Sequence, residues 1–251
     1  MRFSAYLIVC PLVFLASFVD SIAGGGGLIS LPAYLLAGVP VHSAIATNKL
    51  SSTTGTVIST ARFVKNRYAD MKIAPWSMAA AVAGSLLGAN LSLHTSERVL
   101  QILLIVLLPL IAFYVLKNKD LEPEHPFSLP RRRQYLIVAA ASFVIGAYDG
   151  FYGPGTGTFL LLIFTGLAKM DLRTSSGNMK LVNLSSNVAA LATFILAGKV
   201  VWGLGLTASL FSAAGHFLGS GMVMKNGTRV VRPLIVIVLV LLFLKILTEI
   251  A

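Results

Sequence analysis

Charge is scarce in this sequence. Of its 251 residues only 12% are charged, about half the ~25% typical of soluble chains. Hydrophobic residues make up 56%, and the mean hydropathy is +0.84. A soluble domain of this composition would leave large apolar patches in water and aggregate. Acid is scarcer still, with nine Asp and Glu against twenty Lys and Arg. Cysteine occurs once, as Cys10 in an apolar run, which excludes an intrachain disulfide. The histidines His42, His94, His125 and His216 are scattered and give no metal-ligand spacing. No G-x-x-x-x-G-K-S/T run is present, so direct drive by ATP within this chain is not expected. An ordinary soluble enzyme, a disordered chain and a disulfide scaffold are all excluded. An integral membrane protein remains, with no metal and no cofactor expected.

What the chain does have is a series of apolar segments, roughly 4–22, 27–39, 43–61, 73–93, 98–116, 135–150, 155–168, 174–197, 200–222 and 232–249. A spanning helix needs about 20 apolar residues, fewer where it is broken or short. The single long polar stretch is Lys117 to Gln134, near the middle, and it reads as a solvated linker. On either side of it the sequence repeats. Asp20-Ser21-Ile22-Ala23-Gly24-Gly25-Gly26-Gly27 is echoed by Asp149-Gly150-Phe151-Tyr152-Gly153-Pro154-Gly155-Thr156, at an offset of 129. Lys49-Leu50 matches Lys180-Leu181 at an offset of 131, as do Gly84 and Gly88 with Gly215 and Gly219, and Arg98 with Arg229. The shared order and nearly constant offset make two related halves.

The net charge of +11 would suggest nucleic acid in a soluble protein. Here the basic residues lie in short gaps between apolar runs and report topology instead. Arg62, Lys65, Arg67, Lys72, Lys117, Lys119, Arg131, Arg132, Arg133, Lys169, Arg173, Lys225, Arg229 and Arg232 fall in alternate gaps. Only Arg98 and Lys199 oppose them, with a mild disagreement from Arg2. The expected architecture is therefore an all-α membrane protein of about ten transmembrane segments. These form two five-segment repeats, inverted because five is odd, with short broken helices at the centre. The expected divisions are 1–117 for the first repeat, 118–134 for a cytoplasmic linker and 135–251 for the second repeat. Arg2, the apolar run after it and Ser21-Ile22-Ala23 also look like a signal peptide with its cleavage site. The recurrence of the Asp-then-glycine pattern at Asp149 argues against that reading.

Four ionisable residues fall inside the apolar segments: Asp20, Asp149, Lys49 and Lys180. Each costs about 2.5–3.5 kcal/mol at mid-bilayer unless it is paired, hydrated or liganded. Each lysine could snorkel to a helix end, and each aspartate could cap the helix that follows it. Their recurrence as two symmetric pairs favours function. The glycine runs, Gly24 to Gly27 and Gly153-Pro154-Gly155-Thr156-Gly157, interrupt helices and open short ones of about 13 residues. Broken helices in matching places of inverted repeats are where secondary transporters bind substrate, and their N-terminal N–H groups favour anions. The candidate substrate-binding residues are Lys49, Lys180, Gly25, Gly26, Gly155, Thr156, Asn48, Ser52, Asn183 and Asn187, and Asp20 and Asp149 are candidate proton carriers. Ser51, Thr53, Thr54, Thr56, Ser185 and Ser186 lie nearby and could hydrogen-bond a ligand or another helix. Gly84/Gly88 and Gly215/Gly219 read as helix contacts, and Trp76, Trp202 and Tyr68 as interfacial anchors.

The Asp20 glycine-run element with Leu31-Pro32, Ala46-Thr47-Asn48-Lys49-Leu50-Ser51-Ser52, and Asn178-Met179-Lys180-Leu181-Val182-Asn183-Leu184-Ser185-Ser186-Asn187 carry a family likeness. On them the chain resembles the sulfite exporter TauE/SafE family, also called the toluene-sulfonate uptake permease family. The resemblance spans nearly the whole chain and covers Lys49, Lys180, Asn183 and Asn187. It implies a prokaryotic inner-membrane carrier, an exporter of sulfur oxyanions such as sulfite, thiosulfate or organosulfonates. The expected partners are that small anion and the lipid bilayer, with no nucleic acid and a homodimer left open. Gly153-Pro154-Gly155 departs from a plain glycine run and puts the second half-site in question.

A passive anion channel is the alternative to a carrier, and counterflow of labelled substrate separates the two. An intramembrane aspartyl protease using Asp20 and Asp149 is the enzyme alternative. It lacks the required Gly-x-Gly-Asp pattern, because Gly146-Ala147-Tyr148 precedes Asp149 and Ser17-Phe18-Val19 precedes Asp20. It also has no use for paired lysines, so no enzyme activity is expected. Topology gives the first test. Reporter fusions at residues 126 and 251 should report opposite compartments, the former cytoplasmic. The same compartment for both would rule out ten segments in inverted halves.

Overall fold

Broken helices decide how this chain folds. A computed structural model describes residues 3–96, 98–100, 102 and 129–226. Most of the fifth expected segment, the whole tenth and most of the linker, with His125 and Arg229, lie outside them. The described residues form helices and no strand: α1 (Phe3–Ala23), α2 (Gly27–Leu36), α3 (Val41–Lys65), α4 (Ala74–His94), α5 (Arg131–Phe151), α6 (Thr156–Gly166), α7 (Leu172–Leu196) and α8 (Trp202–Asn226). Four of them, α1, α4, α5 and α7, are long and apolar enough to cross a membrane. The order long, short, long, long occurs twice, with lengths of 21, 10, 25 and 21 residues and then 21, 11, 25 and 25.

The packing repeats as well. Helix α1 lies along α8 as α4 lies along α5, and α3 lies along α8 as α7 lies along α4; α3 and α7 meet each other at the centre. The glycines explain the closeness of two of these contacts. A Cβ on Gly84 or Gly88 would overlap the Phe143 or Ala147 carbonyl of α5. One on Gly215 or Gly219 would overlap the Phe14 or Phe18 carbonyl of α1. Large apolar side chains such as Leu87, Leu91, Leu136 and Leu210 are exposed, while Ser21, Ser59, Ser85, Ser142, Ser186 and Ser212 are buried. This arrangement suits lipid outside and hydrogen-bonded helix contacts within.

Both helix breaks depend on left-handed backbone. Gly24 (φ +73°) and its repeat counterpart Gly153 (φ +101°) sit where an L side chain is strained. The two breaks also touch: a Cβ on Gly24 would collide with the Gly157 backbone, and Gly27 faces Pro154. Two starting helices thus meet at mid-structure.

Helix α5 starts inside the expected linker, because Pro130 presets the backbone and the helix begins at Arg131. Arg131 pairs with Asp70 at 3.2 Å. Tyr68 is no interfacial anchor. It is buried edge-on against Phe63 with the Arg173 guanidinium over its ring, whereas Trp76 and Trp202 are exposed as expected.

The glycine contacts give the second test. Gly88→Ala should destabilise the protein by about 1–3 kcal/mol, the range for overpacking a close contact. Gly166→Ala, with open space at its Cβ position, should leave the melting temperature in detergent nearly unchanged.

Candidate functional site: crossed ion pairs at the helix breaks

Helical spacing sets the first layer of the site. On α3, Lys49, Ser52 and Thr56 fall at i, i+3 and i+7; on α7, Lys180, Asn183 and Asn187 do the same. Each set therefore shares a stripe, and the stripes face one another because α3 and α7 pack together. The second layer comes from the breaks, with Asp20 on the last turn of α1 and Asp149 on the last turn of α5.

The ion pairs run between the halves. Lys49 Nζ lies 2.8 Å from Asp149 Oδ2, and both side chains are 3% exposed. It also donates to Asn187 Oδ1 at 3.0 Å, and Asn187 Nδ2 donates to Asn183 Oδ1 at 2.7 Å. Lys180 Nζ lies 3.1 Å from Asp20 Oδ2 and also bonds the Asp20 carbonyl. Neither lysine snorkels. Both aspartates do tie down the helix start that follows, as capping would require. Asp20 Oδ1 accepts the Gly26 N–H at 3.0 Å, and Asp149 Oδ1 accepts the Thr156 hydroxyl at 2.8 Å. Asp149 Oδ2 also accepts the Ser186 hydroxyl at 2.7 Å. Asp20 thus holds a backbone N–H at the start of α2 while paired, whereas Asp149 holds only the Thr156 hydroxyl at the start of α6; the dipole of a helix start favours a carboxylate there.

Between these groups is a cavity of about 20 Å³, room for about one water. It is lined by Asp20, Gly25, Asn48, Lys49, Ser52, Asp149, Gly155, Thr156, Asn183 and Asn187, all sequence candidates. Lys180 and Gly26 do not line it; both stand behind Asp20, to which they are bonded. Thr56, Gly27, Gly153 and Gly157 also line it, residues noted in the sequence but not among the substrate-binding candidates. The i+7 spacing of Thr56 from Lys49 was the signal for the first of these. Two polar atoms at the cavity, Asn48 Oδ1 and Thr56 Oγ1, are buried with no hydrogen-bond partner among the described residues. Such atoms cost about 1–3 kcal/mol each, so the site holds hydrogen-bonding capacity that the protein itself does not use.

His216 is a residue beside the site that sequence reasoning missed. Its Nε2 is 3.7 Å from Asp20 Oδ2 and its Nδ1 is 2.9 Å from Ser59 Oγ. Nothing local in the sequence joins α8 to Asp20. The other described histidines bond backbone carbonyls: His42 those of Ser92 and Thr95, His94 that of Asn90.

Each carboxylate is held by its own lysine, so Asp20 and Asp149 do not share a proton as a protease dyad would. Comparison with known proteins agrees with a transport role. The family model described as "Sulfite exporter TauE/SafE" matches residues 9–246. The chain belongs to the sulfite exporter TauE/SafE family.

Its relatives in that family are named as transporters. It is 35% identical over 257 residues to the "Probable membrane transporter protein YfcA" of Escherichia coli, covering 98% of this chain and 94% of that protein. It is 34% identical over 245 residues to the "Probable membrane transporter protein ORF9" of Sinorhizobium sp, with 98% and 92% covered. A "Probable membrane transporter protein" of Haemophilus influenzae is 34% identical over 229 residues, with 89% and 87% covered. No solved structure matches. As a TauE/SafE member this chain is a membrane transporter.

The pairs make their own prediction. Lys49→Met alone strands a buried carboxylate and should destabilise by about 3–5 kcal/mol; adding Asp149→Leu should recover most of it. A melting-temperature cycle in detergent checks this. No recovery in the double variant would mean the two residues do not act as a pair.

Proposed function

We propose that this chain is a secondary carrier, an exporter, for a small sulfur-containing oxyanion such as sulfite or an organosulfonate. It works in the inner membrane by alternating access of two inverted halves, ten segments in all. The observation that carries this reading is the crossing of two Lys–Asp pairs where two broken helices meet, beside the unpartnered Asn48 Oδ1 and Thr56 Oγ1. The family description supports the sulfur-oxyanion class.

Chemistry follows from the pairs. In the empty site Asp20 and Asp149 act as resident counter-ions to the lysines. A tetrahedral or pyramidal oxyanion replaces them, taking the ammonium groups, the Thr56 hydroxyl and the first-turn N–H groups of α2 and α6. The cavity is too small for such an anion until the pairs part, so binding and opening are one event. Two lysines and two aspartates cancel, and an added anion leaves buried negative charge that is costly in the membrane. This charge balance supports coupling to a proton. The crossed ion pairs that would have to part for an anion to pass favour a carrier over a passive channel.

Substitution of the lysines tests the reading. Lys49→Gln and Lys180→Gln each remove a charge-assisted hydrogen bond worth roughly 1.5–3 kcal/mol. Affinity for the same anion, found by thermal shift with sulfite, thiosulfate, sulfoacetate and taurine, should fall about tenfold to a hundredfold. Unchanged binding and transport in both variants would return the lysines to a structural role.

A further inference from the structure

Around their two aspartates the halves differ in a titratable group. The offset of 131 that aligns Gly84 with Gly215 also aligns Ser85 with His216 and Gly55 with Ser186. Beside Asp149, the Ser186 hydroxyl donates to the carboxylate at 2.7 Å and the Ser85 hydroxyl donates to the Ser186 carbonyl at 2.6 Å. Beside Asp20, those two serines are replaced by glycine and an imidazole, and a Cβ on Gly55 would overlap the His216 ring. The first half has traded a pair of hydroxyls for a group that takes up protons between about pH 5 and 8 when unperturbed. His216 is 1% exposed. It lines a second cavity of about 10 Å³ that shares Asp20, Gly27, Asn48 and Ser52 with the first.

The charged neighbours of His216 define what a proton there would do. From α1 it meets Asp20, while Tyr6 and Cys10 lie nearer that helix's start. From α7 Lys180 reaches the same carboxylate oxygen, Oδ2. From α3 it meets the Ser59 hydroxyl; Lys49 on that helix is engaged by Asp149, and Arg62 reaches the Phe217 carbonyl and Ser220, past the ring. His216 Nε2 and Lys180 Nζ thus compete for one carboxylate oxygen. Two positive charges there repel each other, so a proton on His216 and an intact Lys180–Asp20 pair are alternatives.

We infer that the proton accompanying the anion is taken up by His216 at Nε2, making the Asp20–Lys180 half-site the proton-handling side of the carrier. This rests on the anion-carrier reading above. When an anion draws the Lys180 ammonium away, Asp20 loses its partner. A proton from water then forms the Nε2–H bond, the imidazolium takes the place of Lys180 at Oδ2, and Nδ1–H donates to Ser59 Oγ. Release of the anion lets Lys180 return, and the proton leaves Nε2 for water. Linkage makes the effect reciprocal: protonation tightens anion binding by the same factor that the anion tightens proton binding.

The test adds thiosulfate or methanesulfonate, whose charges do not change between about pH 5 and 8, to the full-length protein in weakly buffered detergent solution. Anion binding is followed by calorimetry and proton uptake by an indicator dye. The wild type should take up about one proton per anion and bind at least about fivefold more tightly at the acid end. His216→Gln should still bind at the alkaline end but lose both the uptake and the pH dependence. His216→Ser, the residue type of the other half, should behave alike and serves if the Gln variant does not fold. Binding without proton uptake in the wild type, or unchanged uptake in either variant, would overturn this inference alone. No binding of any tested sulfur anion at any pH would overturn the carrier reading with it.

Discussion

Two lysine–aspartate pairs cross the middle of this protein, and each joins a helix of one half to a helix break of the other. Four such charges are individually unfavourable in a membrane interior. They are tolerable because each carboxylate also gathers a backbone N–H or hydroxyl from the helix start behind it. The pairs in turn fix where the breaks must be. Asp20 and Asp149 reach lysines of the opposite half only because Gly24 and Gly153 bend the chain at the same depth, with Gly24 against Gly157 and Gly27 against Pro154. The glycine contacts of α4 with α5 and of α8 with α1 then hold the two halves close enough for the crossing to persist.

A buried, internally neutralised site suits a carrier better than a permanent receptor for anions. Removing one partner of a buried pair is far more costly than exchanging it for another of like charge. In the proposed carrier, an anion that takes over a lysine replaces one counter-ion with another, whereas a buried lysine without its aspartate would be an uncompensated charge. The Asn48 and Thr56 oxygens that lack a partner among the described residues are on α3, the helix that carries Lys49.

Much of this was legible before the structure. The offsets of 129 and 131 anticipated the repeated helix order, the paired breaks and the close glycine contacts, because a repeated sequence repeats its local structure. Ten of the twelve candidate residues line the cavity: helical spacing puts Lys49 with Ser52 and Asn183 with Asn187 on single stripes, and the helix breaks bring in Asp20, Gly25, Asp149, Gly155 and Thr156. What could not be read was which lysine meets which aspartate. Pairing across halves depends on how α3 and α7 cross, a tertiary fact with no local sequence signal. The same gap hid His216, whose link to Asp20 spans α8 and α1. The displaced positions of Lys180 and Gly26, and the burial of Tyr68 under Arg173, likewise come from packing rather than from periodicity.

The central claim is that an anion occupies the place of the aspartates on the lysines. Crystals grown with selenite, a heavier analogue of sulfite, measure this most directly through the anomalous signal of selenium. The account predicts selenium between α3 and α7, with its oxygens within hydrogen-bond distance of Lys49 Nζ and Thr56 Oγ1 and with Asp149 moved off the lysine. Selenium bound elsewhere, or bound here with the Lys49–Asp149 pair still at 2.8 Å, would contradict it.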